Sequence, residues 1–109
     1  MLVINTKDAI DRIGDEDIYY EIAQAFASHI PGYLMQIVNL LQADDMAAAS
    51  RIIHSVKSNC ATVGADALRE RFAALEKITM QGRKREAIEF IEALRPDLLE
   101  LKATLENFL

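Results

Sequence analysis

The chain has no tryptophan, one cysteine, two prolines and four glycines in 109 residues, and only 6% of it is aromatic. A lone cysteine, Cys60, cannot close an internal disulfide, so a disulfide-stapled framework is excluded and a reducing, cytoplasmic setting is the expectation. Asn-Gly and Asp-Gly pairs are missing, and nowhere do β-branched and polar residues alternate in a sustained way, which removes the signals of hairpins and half-buried strands. No run of about 18 apolar residues occurs, and the first twelve residues, MLVINTKDAIDR, lack a charged region followed by an apolar one. Neither a membrane span nor a signal peptide is therefore expected. Positive charge is also in deficit: 12 lysines and arginines face 17 acids, for a net charge of −5. Binding to nucleic acid rests on a basic footprint, so that class of partner is disfavoured.

What remains is 51% hydrophobic and 27% charged, the balance of a globular protein, in a length that suits a single domain over residues 1–109. The apolar residues recur at intervals of three and four, which means helices. A short one is expected from Thr6, as N-cap, to Ile13, ended by Gly14. Asp15 or Glu16 opens the next, and the acids Asp15, Glu16 and Asp17 favour the positive end of its macrodipole, a capping role rather than metal binding. Its apolar positions Ile18, Ile22, Ala25, Phe26 and Ile30 lead to Pro31-Gly32, where a break or kink is expected before helix resumes through Leu41. Asp44 or Asp45 caps a central helix running to Val63. Gly64 ends it, and a further helix carries Leu68, Phe72, Leu75 and Ile78. After Gly82 and the basic run Arg83–Arg85, a last helix carries Ala87 through Phe108, with a kink expected at Pro96. Four long segments with short connections predict an all-α, antiparallel four-helix bundle with the short N-terminal helix packed at one end.

The central helix holds the most informative pattern. Wrapped at about 100° per residue, it puts Ala47, Ser50, Arg51, Lys57, Ser58 and Ala61 within roughly 60° of His54. Ile52, Val56 and Val63 lie opposite, flanked by Ala49, Ile53 and Cys60. His54 is thus expected to face water among small and basic residues, while Cys60, Met35 and Met80 are read as packing residues. The two histidines, His29 and His54, lack the four-residue spacing of paired metal ligands. A carboxylate-bridged metal enzyme would need Glu-x-x-His pairs, and the residues three before His54 and His29 are Arg51 and Phe26.

The run His54-Ser-Val-Lys57-Ser58, then Gly64-Ala65, Leu68 and Leu75-Glu76, resembles the histidine-containing phosphotransfer (HPt) domain. That family's signature reads His-x-Leu-Lys-Gly, a small residue, Gly-Ala-x-x-Leu and, further on, Leu-Glu. Ser58 stands where the family usually has glycine, and Val56 replaces leucine. The resemblance implies a phosphorelay intermediate. His54 would accept a phosphoryl group from the aspartyl phosphate of a receiver domain and pass it to the aspartate of another.

Lys57, one turn on, would offset developing charge. Glu76 lies twelve residues beyond Gly64 and His54 ten before it, which sets the two level across a helical hairpin, and the resemblance implies that Glu76 holds the imidazole by a hydrogen bond. Ser50, Arg51, Ser58, Ala61 and Gly64 would face the partner, with an apolar patch of Ile10, Ile13 and Ile18 completing the surface. The implied partners are response-regulator receivers and a hybrid sensor histidine kinase. The chain would be a monomeric phosphocarrier without kinase or phosphatase activity of its own. It would hold no cofactor or metal, and Mg²⁺ would sit on the receiver. The alternative is a catalytically silent helical adaptor of the same fold, for which Ser58 is the supporting observation.

Overall fold

The computed structural model describes residues 2–108. It contains α1 (Thr6–Ile13), α2 (Glu16–Gln42), α3 (Met46–Val63), α4 (Asp66–Met80) and α5 (Lys84–Glu106), with no strand among the described residues. Connections of two or three residues force successive long helices to run antiparallel. α3 packs on α4 and α2, α5 on α2 and α4, and α1 lies across α2 and α3. The longest dimension, 40 Å, is about the length of a 27-residue helix at 1.5 Å per residue, so α2 sets the height of the bundle.

Local sequence explains most of the boundaries. Asp15 caps α2 by accepting from the Ile18 amide at 3.1 Å, and Asp45 caps α3 by accepting from Ala48 at 3.1 Å. Gly14 and Gly64 both end their helices at φ +86°. The expected N-cap Thr6 is instead the first helical residue, and Asn5 precedes it without a side-chain capping bond. Asn5 is drawn elsewhere: its amide donates to Gly64 O at 2.9 Å and its Nδ2 to Asp66 Oδ2 at 2.5 Å.

The expected break at Pro31 does not occur, for α2 is one helix of 27 residues, and α5 likewise continues through Pro96. A helical proline removes one donor and crowds one carbonyl. Buried Phe26, Ala27, Ile30 and Leu34 on the flanking turns hold α2 against the core, while Pro31 and Pro96 face solvent. The buried face of α2 is also rotated from the one expected. Tyr19, Ala23, Phe26, Ala27 and Ile30 are inside, Ile22 is half-buried, and Ile18 and Ala25 are exposed. On α3, Ala49, Ile53, Val56, Cys60 and Val63 are buried and Ile52 sits at the edge. Met35 and Met80, read as packing residues, are 62% and 73% exposed because both lie on outer faces of their helices.

The carbonyls at the end of α3, which have no partners within the helix, are met from three directions. Cys60 O accepts from Ala65 N at 2.8 Å and Val63 O from the buried Tyr19 hydroxyl at 2.8 Å. Ala61 O accepts from the Arg12 guanidinium at 2.9 Å. No buried side-chain nitrogen or oxygen among the described residues lacks a partner, so the hairpin of α3 and α4 is fixed at its turn by α1, α2 and the N-terminal segment.

Candidate functional site

His54 lies midway along α3 with its side chain 60% exposed. Arg51 and Lys57 each lie three residues from His54, which puts them on neighbouring turns of the same face, and the opposite stripe of α3 is anchored in the core. The Gly64 turn folds α4 back alongside α3, and Glu76 arrives level with the imidazole as the residue count requires. Its Oε2 is 2.9 Å from His54 Nδ1, and its Oε1 is 2.6 Å from Lys57 Nζ. One carboxylate therefore bridges the ring and the ammonium across two helices.

This geometry fixes the tautomer of a neutral imidazole. A carboxylate can only accept, so Nδ1 carries the hydrogen and Nε2 keeps the lone pair. Partial burial by itself would push the Glu76 carboxyl up. The hydrogen bonds and charges of Lys57 and His54 together outweigh that, and hold it below its usual value. Glu76 therefore stays ionised, which is the form that can hold Nδ1–H.

Lys57 differs from its expected setting. Contact with α4 leaves its side chain only 24% exposed, and its ammonium is engaged by Glu76 rather than free. Ser50 is half-buried, Arg51 and Ser58 are exposed, and Ala61 is half-buried, all on the histidine face. Gly64, grouped with the partner-facing residues, is instead buried. A Cβ there would lie 2.6 Å from Asn5 O, so the N-terminal segment covers the position that a partner would have to touch.

Ile10 and Ile13 are half-buried at the edge of the core and Ile18 is 46% exposed. They belong to the Gly64 end of the bundle. Ala61, which Arg12 of α1 contacts, is already seven residues, about 10 Å of helix, from His54. The open groove that contains the imidazole runs the other way and is lined by Met46, Ala47, Ser50, Arg51, His54, Glu76 and Met80. Met46 and Met80 are the site neighbours that sequence reading missed. Met80 is one helical turn beyond Glu76, a spacing that could have marked it once Glu76 was assigned.

Cys60 takes no part, since burial pushes its thiol up to about 12 and keeps it from ionising. Among the described residues, no helix is long and apolar enough to cross a membrane. Comparison with the curated proteins and with the solved structures gave no significant match. The family model of the Hpt domain, by contrast, matches residues 21–108, from within α2 to the end of α5. Hpt domains are phosphocarrier modules that serve histidine phosphotransfer in two-component signalling, where they interact with receiver domains and histidine kinases. With that match spanning most of the sequence, on a helical bundle that presents one exposed histidine held by a carboxylate, the chain belongs to the Hpt domain family.

Proposed function

We propose that His54 is the phosphoacceptor of a phosphorelay. It takes the phosphoryl group from the aspartyl phosphate of one receiver domain and delivers it to the aspartate of another. The observation that carries this reading is the 2.9 Å contact from His54 Nδ1 to Glu76 on an otherwise exposed ring. In the forward step the Nε2 lone pair forms the N–P bond while the aspartyl O–P bond breaks and its electron pair leaves with the carboxylate. The proton on Nδ1 stays against Glu76, which offsets the positive charge that the ring acquires. Reversal of the same step transfers the group onward. The receiver supplies its own acidic pocket and Mg²⁺, so this chain acts as a carrier and needs neither a cofactor nor a metal of its own.

The groove beside the ring suits docking of a receiver surface, with the exposed Met80 and half-buried Met46 as its apolar lips and Arg51 at its margin. Ser58, one turn after His54, adds only a hydroxymethyl group where the family usually has none, too little to close the approach. A soluble monomer in the cytoplasm is the setting in which we place this exchange. The test is transfer of label from a phosphorylated receiver to the chain. Wild type is expected to acquire alkali-stable, acid-labile phosphate and His54→Gln none. Absence of uptake by the wild type from every cognate receiver would leave the silent adaptor as the better reading.

A further inference from the structure

The site holds two cations in unlike circumstances. Lys57 is committed: its ammonium is 2.6 Å from Glu76 Oε1, and the two side chains are only 24% and 17% exposed. Drawing it out to a phosphoryl group on the far side of the ring would strip a largely buried carboxylate of its counter-ion, which is costly. Arg51 is uncommitted. Beyond the helix's own backbone bonds, only its carbonyl is engaged, by Ser55 Oγ at 3.1 Å, and its guanidinium has no hydrogen bond or ion pair among the described residues. It precedes His54 by three residues on the same face and shares with the imidazole the wall of the open groove, to which Lys57 does not contribute. A phosphoryl group carried by the ring would lie within one helical turn of Arg51.

Resting on the carrier reading above, we infer that Arg51 is the cation that meets the phosphoryl group on His54, and that Lys57 is a positioning residue acting through Glu76. A guanidinium is suited to the first role. Its planar fork donates two parallel hydrogen bonds to a pair of phosphoryl oxygens, and its long stem reaches across one helical turn. Lys57 is suited to the second, because its charge keeps Glu76 ionised and turned toward Nδ1.

The experiment needs no partner protein. Phosphoramidate phosphorylates histidine directly: the Nε2 lone pair forms the N–P bond, the donor's own P–N bond breaks, and its protonated nitrogen leaves as ammonia. Wild type, Arg51→Gln, Arg51→Lys, Lys57→Met and the distant control Arg85→Gln are compared. The readouts are the rate of His54 phosphorylation, the pH midpoint of the ³¹P resonance and the ¹⁵N signals of the His54 ring. Arg51→Gln is expected to slow phosphorylation about fivefold and to raise the phosphorus midpoint by about half a unit, as for loss of an exposed counter-charge. Arg51→Lys recovers most of both effects, and Arg85→Gln changes neither. Lys57→Met leaves the phosphorus midpoint in place but moves the ring ¹⁵N signals as Nδ1 loses its fixed acceptor. A phosphorus midpoint that follows Lys57→Met and ignores Arg51→Gln overturns the assignment while the carrier reading stands. A wild type that takes no phosphate on His54 overturns both.

Discussion

Alanine at Gly64 and alanine at Gly14 form a matched pair, because both glycines end a helix at φ +86°. At Gly14 an added Cβ meets nothing within 4 Å. Gly14→Ala should therefore cost only the left-handed conformation itself, about 1–2 kcal/mol. At Gly64 the same Cβ would lie 2.6 Å from Asn5 O and 2.9 Å from Asn5 C. Those are backbone atoms, so the N-terminal segment must move away. Its 2.9 Å hydrogen bond to Gly64 O is then lost, about 1 kcal/mol, with roughly another 1–2 kcal/mol for the displaced packing. Gly64→Ala is thus expected to cost about 3–5 kcal/mol.

For a domain of this size, that corresponds to a Tm lowered by roughly 15–25 °C, against about 5–10 °C for Gly14→Ala. Urea unfolding at low temperature, followed by circular dichroism, gives both free energies on one scale. In a chain that starts at Thr6 the two substitutions should cost the same, since the colliding carbonyl is gone. Equal costs in the full chain, to within about 0.5 kcal/mol, would refute the claim that the N-terminal segment locks the α3–α4 turn. That lock bears on the proposed carrier role because the turn sets the register of Glu76 against His54.

Three further outcomes follow from the site and the core. Lys57→Met should destabilise the fold by about 1–2 kcal/mol in chemical denaturation, because it leaves Glu76 without its ammonium; an unchanged midpoint would mean that the 2.6 Å contact carries no weight. Glu76 has a carboxyl held below its ordinary 4.5 in the folded state. Its contribution to stability is therefore complete above that value and is lost as pH falls through the lower folded one, so the stability gap between wild type and Glu76→Gln should stay constant above 4.5 and narrow as the pH falls further below it. A gap that does not narrow on acidification below 4.5 would contradict the ion-bridge reading. Cys60, buried and with its thiol pushed up to about 12, should resist thiol reagents at neutral pH in the native state and react fully in denaturant. Rapid native modification would show that α3 opens at its C-terminal half.

The fold was legible because its signals are local. Helical period, the caps Asp15 and Asp45, and the stops Gly14 and Gly64 depend on residues a few positions apart, and each behaves as its chemistry dictates. The pairing of His54 with Glu76 was legible too: uniform helical rise turns counts of ten and twelve residues into similar heights about a tight turn, and the resemblance to the HPt signature implies that the carboxylate at that height holds the ring. What stayed hidden depends on how elements approach one another. A helical wheel of α3 alone shows Lys57 facing water, but α4 covers it.

Gly64 reads as a turn residue, and its second reason for being glycine is Asn5, which lies far off in sequence. Pro31 predicts a break by local rules, and packing on both sides overrides them. The phase of α2 was missed because Ala23, Ala25 and Ala27 are equally plausible inside or out, so a helix rich in alanine leaves its own rotation undetermined until its neighbours are placed. The groove beside the ring joins the start of α3 to the end of α4, and no stretch of sequence contains both.

The phosphocarrier role proposed for His54 requires that Glu76 hold Nδ1 and leave Nε2 to take the phosphoryl group. It is tested most directly by phosphorylating the ¹⁵N-labelled chain with a phosphorylated receiver and locating the phosphorus through its coupling to the ring nitrogens. Coupling to Nε2 of His54, with no signal from His54→Gln, is the predicted result. Phosphorus on Nδ1, or on any residue other than His54, would contradict it.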